Sequence, residues 1–464
     1  MMAFVTPTAP RTRRNVELVL LVLAVGISVS AYAYLGLATK GKVPGDMATY
    51  GGLLGACALA VHVTLRLTAK YADPVILPIA TAINGLGLVM IHRLDLAEHR
   101  EVAQSLALRQ MIWTGIGILA AGVVIWYLAD HRSLGRYTYT AMAVGLVLLL
   151  LPLLPVVGRN INGARIWIAV GGLSFQPGEL AKIALAVFFA GYLVTARDSL
   201  SLVGRKILFL QLPRARDLGP ILVAWMASLL VLVFERDLGT SLLFFGLFIA
   251  LLYVATERTS WIVLGMLLFS GGAFIAWTLF SHVQARVDIW LHPFDPAILK
   301  RSLGSSYQLV QGLYGMSSGG LLGTGLGGGR PDIVPFAESD FITASIGEEL
   351  GLTGLFALLM LYALFVERAL RTAIGVRDGF GKLLAAGVGF SLALQVFVVV
   401  GGVTRVIPLT GLTMPFLAYG GSSLLSNWII VGLLLRISDA ARRPAPDPAK
   451  SGVPPTAPTQ VVPA

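Results

Sequence analysis

Apolar residues in this chain run in long unbroken blocks, without the one-sided stripe of a helix that faces water on its other side. Blocks at 17–38, 48–68, 74–92, 111–129, 138–157, 179–195, 219–235, 239–256, 260–280, 341–366, 383–403 and 421–438 approach the roughly 20 residues needed to cross a bilayer. The pattern predicts an all-α polytopic integral membrane protein of about twelve transmembrane helices. Two blocks are interrupted. Asn84 lies in 74–92, and Gly420-Gly421-Ser422-Ser423 opens 421–438. Small and hydroxyl residues are tolerated in membrane helices because they permit close helix contacts. The expected organisation is a cytoplasmic segment 1–15, a membrane domain 16–438 with a large external loop 281–340, and a disordered cytoplasmic tail 439–464 rich in proline, alanine and threonine.

Composition agrees. Of 464 residues 56% are hydrophobic and 13% charged, with mean hydropathy +0.80, where a soluble chain carries about 25% charged residues. Arg11, Arg13 and Arg14 precede a first block too long for a signal-peptide core, so it reads as a retained anchor. The single cysteine, Cys57, excludes an intrachain disulfide. A net charge of +11 invites a nucleic-acid reading, but its distribution assigns it to the membrane. The segments 196–218 and 367–382, with Arg197, Arg205, Lys206, Arg214, Arg216, Arg368, Arg371, Arg377 and Lys382, are the densest. A positive-inside bias then puts both termini in the cytoplasm and 281–340 outside.

Ionisable residues inside a bilayer are costly unless paired or hydrated, so each is a functional hypothesis. Four regions qualify. In the first, Asn162-Gly163-Ala164-Arg165 is followed by Gln176-Pro177-Gly178-Glu179 and Lys182. Glu179 and Lys182 share a helix face; they form either an internal salt bridge or part of a polar cavity where Lys182 meets an anion. In the second, Asp237 caps a helix, with Thr240 nearby. The third is the long outer loop, expected to lack regular structure and so to be functional. Its glycine run 319–329 reads as flexible, Asp340 as a helix cap, and Asp295, between Phe294 and Pro296 with Arg286, Lys300 and Arg301 near in sequence, as the better positioned carboxylate. In the fourth, Glu348-Glu349 is expected two turns into a span, and the prolines and glycines of 408–421 predict a broken helix, which must be buried in protein or line a wet cavity.

The order N-G-A-x-x-W-I, Q-P-x-E-x-x-K, D-L-G-T, R-V, D-P, Y-Q, D-F-I, E-E-L-G, P-L-T-G and Y-G-G-S-S-L resembles the SEDS family of bacterial shape, elongation, division and sporulation proteins, of RodA and FtsW type. Two extra N-terminal spans make it most similar to actinobacterial RodA-type members. Departures are Gly178 for the usual serine, Arg236 for proline, Glu338-Ser339 for His-Thr, and extra residues between Asp295 and Gly304.

The resemblance implies a plasma-membrane peptidoglycan glycosyltransferase that polymerises lipid II onto polyprenyl-pyrophosphate-linked glycan, working beside a class B penicillin-binding protein. It implies Asp295 as the catalytic carboxylate, and Arg286, Glu179, Lys182, Tyr307, Gln308, Gln311, Ser422 and Ser423 as substrate-cavity residues. As general base Asp295 would supply about 10²–10⁴ in rate, and Arg286, Lys182 and Arg165 would steady the departing pyrophosphate. A divalent cation, Mg or Mn, could share that task, although the sequence has no dedicated metal cluster. The rival readings are a lipid II flippase and a scaffold that only activates its partner.

Overall fold

The computed structural model describes residues 12–444, apart from 156, 162–163, 171–172, 201–202, 208–209, 214–222, 224–225, 228–230, 232–233, 236 and 302–303. Among the described residues, eleven helices are long and apolar enough to cross a membrane. In chain order the first half holds α1 (Arg14–Lys40), α2 (Met47–Thr68), α3 (Ile76–Ala97), α4 (Leu106–Tyr127), α5 (Thr138–Leu150), α6 (Pro177–Leu200), α7 (Leu238–Thr256) and α8 (Thr259–Leu279). Short 3-10 turns extend α5 to span His131–Leu153. The second half holds α9 (Ser281–Leu291), α10 (Pro296–Leu299), α11 (Tyr307–Gly319), α12 (Ile342–Glu349), α13 (Gly351–Gly375), α14 (Gly379–Val403) and α15 (Gly421–Arg442). An antiparallel sheet β1 (Gly158–Ile161), β2 (Ala164–Val170), β3 (Leu173–Phe175) leads into α6, and a hairpin β4 (Val203–Ile207), β5 (Leu210–Pro213) follows it. Much of the expected span 219–235, and residues 201–202, 208–209 and 214–218 of loop 196–218, lie outside the described residues.

The helices sort by what they face. α3, α14 and α15 are buried over most of their length, whereas α1, α5 and α8 turn aliphatic side chains outward. Both kinds are predominantly apolar, because lipid and protein core are equally dry, and the buried helices α3 and α15 add polar groups such as Asn84 and Ser426. Gly87 of α3 shows how closely the centre packs: a Cβ there would collide with the backbone of Leu417.

Three expectations need correction. The block 341–366 is two helices, because Gly351 has φ +67° and a side chain there would strike the backbone of 321–323. The span therefore begins at Gly351, and Glu348-Glu349 ends the separate helix α12. The outer segment is also far from structureless, since α9, α10 and α11 occupy much of it. Finally, α15 runs to Arg442, so the first residues assigned to the tail are helical; residues 445–464 are outside the described set.

Candidate active site

The segment 404–420 breaks the membrane helices and is held by side chains from four of them. Asn84 Nδ2 of α3 donates to the Phe416 carbonyl at 3.4 Å, and Gln110 Nε2 of α4 to that of Ala418 at 3.0 Å. The Tyr362 hydroxyl of α13 reaches the Pro415 carbonyl, and Gln395 Nε2 of α14 that of Thr413 at 2.9 Å. Met414, Phe416 and Leu417 are buried. Irregular backbone at this depth survives because these groups satisfy its carbonyls, as the sequence reading required.

Glu179 and Lys182 sit on α6 against this frame. Lys182 Nζ lies 3.0 Å from Glu179 Oε2 and donates to Gln395 Oε1, also at 3.0 Å; the Ser426 hydroxyl donates to Glu179 Oε2 at 3.2 Å. Both charges are buried. The network ties α6, α14 and α15 together, which favours the salt-bridge alternative and leaves one ammonium hydrogen for any anion. Ser422 and Ser423 are buried beside it, and the Ser423 carbonyl accepts from Ser426 Oγ and Asn427 Nδ2.

Arg286 on α9 points inward. Its Nη1 donates to the Leu409 carbonyl of the broken segment, and Asp237 and Asp340 are the carboxylates that act on its charge. Asp237 caps α7 as expected, accepting from Thr240 N at 2.9 Å and Thr240 Oγ1 at 2.6 Å. Asp340 does not cap a helix: Phe341 occupies the N-cap of α12. Its carboxylate instead accepts from Ser339 Oγ at 3.1 Å and Gln308 Nε2 at 3.4 Å. Desolvation pushes Asp340 up to about 6, against the opposing pull of those donors and Arg286. Arg286 also lines a cavity of about 510 Å³, with Phe245 of α7, Met266 and Phe269 of α8, Phe397 of α14 and Pro408. The walls are almost wholly apolar.

Asp295 lies apart from these groups. It is exposed and caps α10, accepting from Ala297 N at 2.8 Å. Two of the three cations expected around it are engaged elsewhere: Arg286 as described, and Arg301 with Asp288 at 3.1 Å. Tyr307 opens α11 and is exposed; Gln311, one turn on, is half-buried. Arg165 is exposed on β2, while Asn162, Gly163 and Arg236 lie outside the described residues.

Glu348 and Glu349 organise the glycine run, which the sequence left as merely flexible. Glu349 bonds Arg93 Nε of α3 at 2.8 Å and accepts from Gly327 N at 2.8 Å; Glu348 accepts from Arg330 N at 2.7 Å. Arg93 Nη2 donates to the Gly329 carbonyl at 2.8 Å. Truncating one member of such a buried pair costs roughly 3–5 kcal/mol. Glu349→Ala is therefore expected to lower the thermal unfolding temperature in detergent and to expose 320–330 to protease; unchanged protection would show the clasp to be dispensable.

No three His, Cys, Asp or Glu side chains among the described residues gather as a metal site would require.

The family profile described as "Cell cycle protein", FtsW/RodA/SpoVE, matches residues 74–443. The chain belongs to this family. It is 49% identical over 447 residues to the peptidoglycan glycosyltransferase RodA of Mycobacterium tuberculosis, covering 95% of this chain and 93% of that one. It is 47% identical over 443 residues to the protein of the same name from Mycobacterium leprae, with the same coverage. A solved chain from a study of how a peptidoglycan synthase complex coordinates polymerisation and crosslinking superposes with TM-score 0.63 at 28% identity, over 80% of this chain and 98% of that one. The family match begins at α3, so α1 and α2 lie outside it.

Within this family fold the sequence reading missed Arg93, Gln395 and Ser426. Gln395 had a visible signal: it is a lone amide in an otherwise apolar span, and such groups are kept where they have partners. Ser426 and Arg93 gave none, because serine is ordinary in membrane helices and Arg93 reads as a basic residue at a helix end.

Proposed function

We infer that this chain is a peptidoglycan glycosyltransferase, polymerising lipid II into glycan strands from the outer face of the bacterial plasma membrane. The observation that carries the reading is the apolar cavity of about 510 Å³ with Arg286 in its lining. Its apolar walls suit a polyprenyl chain, and Arg286, the cation among its described lining residues, suits the pyrophosphate that leaves when the glycosidic bond forms. Asp295 would take the proton from the attacking sugar hydroxyl, and Gln308 and Gln311 would orient the sugars along α11. Lys182 has a secondary role, since Glu179 and Gln395 already engage it. Tyr307, Ser422, Ser423 and Arg165 complete the proposed contact set. Mg or Mn bound to the pyrophosphate would share the stabilisation of its charge with Arg286. A class B penicillin-binding protein would cross-link the product.

The test is purified protein given lipid II in detergent, with and without that partner, and the glycan product sized on a gel. Polymer supports the reading. Its absence under both conditions, with lipid II transported in vesicles, would favour a flippase, because detergent leaves nothing to flip.

The proposed orientation puts 281–350 outside and the α13–α14 turn inside. In a Cys57→Ser background, a cysteine at Ser317 is expected to react with an impermeant thiol reagent on intact cells, and one at Arg377 only after lysis. The reverse pattern would invert the topology.

A further inference from the structure

The hairpin α1–α2, which lies outside the family match, carries a second polar cavity at the end where α1 begins and α2 finishes. This cavity, of about 340 Å³, is lined by Thr12, Arg13, Arg14, Asn15, Arg66 and Lys70. Four of these side chains are cationic. Among the described residues only Arg14 has a carboxylate partner, Glu17, at 2.5 Å. Arg66 is held by neutral groups, donating to His62 Nε2 at 2.8 Å and Asn15 Oδ1 at 2.6 Å. His62 is in turn fixed by Glu17, 2.6 Å away, so Arg66 is aimed before any ligand arrives. Arg13 and Lys70 make no side-chain hydrogen bond or ion pair among the described residues.

The neighbouring surface is oily. Val16, Val19, Val63 and Leu67, on the same two helices, are exposed. A positive-inside bias accounts for basic residues near a helix end, but not for three cations without carboxylate partners around one cavity bordered by aliphatic side chains. Basic pockets between cytoplasmic helix ends suit anionic lipid head groups, and guanidinium groups suit phosphate oxygens.

We propose that the cytoplasmic end of α1–α2 is a binding site for an anionic phospholipid, its phosphodiester held by Arg13, Arg66 and Lys70 and its acyl chains lying along Val16, Val63 and Leu67. The leaflet follows from the orientation proposed above. The affinity does not, so the two can fail separately.

Full-length protein in a zwitterionic detergent is titrated with phosphatidylglycerol, with phosphatidylcholine and with inorganic phosphate, and bound lipid is counted by native mass spectrometry. Phosphatidylglycerol is expected to be retained in preference to phosphatidylcholine. Arg13→Gln and Lys70→Gln should each weaken its binding about fivefold, and together about thirtyfold. Neither side chain is bonded to another, so thermal unfolding without lipid should be unchanged; the single variants carry the test if the double variant folds poorly. Arg66→Lys keeps the charge and should retain most of the preference. Equal retention of the two lipids, or undiminished affinity in the variants, overturns the proposal. Binding of inorganic phosphate without phosphatidylglycerol assigns the cavity to a free anion and also overturns it.

Discussion

Asp295→Asn is expected to lower lipid II polymerisation by about two or more orders of magnitude while leaving the protein folded and in the membrane. The structure makes this substitution clean. One carboxylate oxygen accepts from Ala297 N to start α10, and asparagine caps a helix as well as aspartate does. Asp295 is exposed and forms no ion pair among the described residues, so no partner is left stranded. What asparagine loses is the capacity to take a proton. Asp288→Asn is the control: it removes a partly exposed pair with Arg301, worth at most about 1 kcal/mol, and should leave the rate nearly intact. The competing base is Asp340, whose carboxyl is pushed up to about 6. A base is inactive when protonated, so an Asp340 mechanism predicts kcat/KM falling as pH drops through about 6, with that limb lost in Asp340→Asn. Full activity of Asp295→Asn together with such a limb would move the base to Asp340.

The membrane architecture was legible because lipid imposes one rule on every span, and block length reports it directly. Where the blocks misled, a polar or conformational constraint had overridden hydropathy. Residues 341–366 read as one span, yet Gly351 at φ +67° divides them. The Glu179–Lys182 pair was legible because its members are three residues apart on one helix. Gln395, which completes the pair's hydrogen bonding, stands 213 residues beyond Lys182, a relation that local spacing cannot express. The glycine run looked flexible because its constraints come from Arg93, Glu348 and Glu349, on other elements. Asp295 was placed among cations by sequence proximity alone, and α9 then turns Arg286 toward the Leu409 carbonyl instead.

Arg286 is the residue whose loss should separate structure from chemistry most sharply. Asp237 and Asp340 both act on its charge, and burial lowers its pKa while they raise it. Removing the guanidinium would take from the desolvated Asp237 and Asp340 carboxylates the cation that offsets their burial, so Arg286→Gln should cost stability as well as activity. Adding Asp340→Asn removes one of those uncompensated charges, and the double variant should recover part of the thermal unfolding temperature lost in the single one. Activity should not recover. A cation aimed at developing charge is commonly worth about 10²–10³ in kcat, and among the described residues no other cation lines the apolar cavity. Arg286→Lys tests the geometry separately, since a point charge cannot reproduce the two-pronged contact of a guanidinium with a phosphate; intermediate activity is expected. If the double variant polymerises lipid II at the parental rate, Arg286 only braces the broken segment at Leu409, and the pyrophosphate must be stabilised elsewhere.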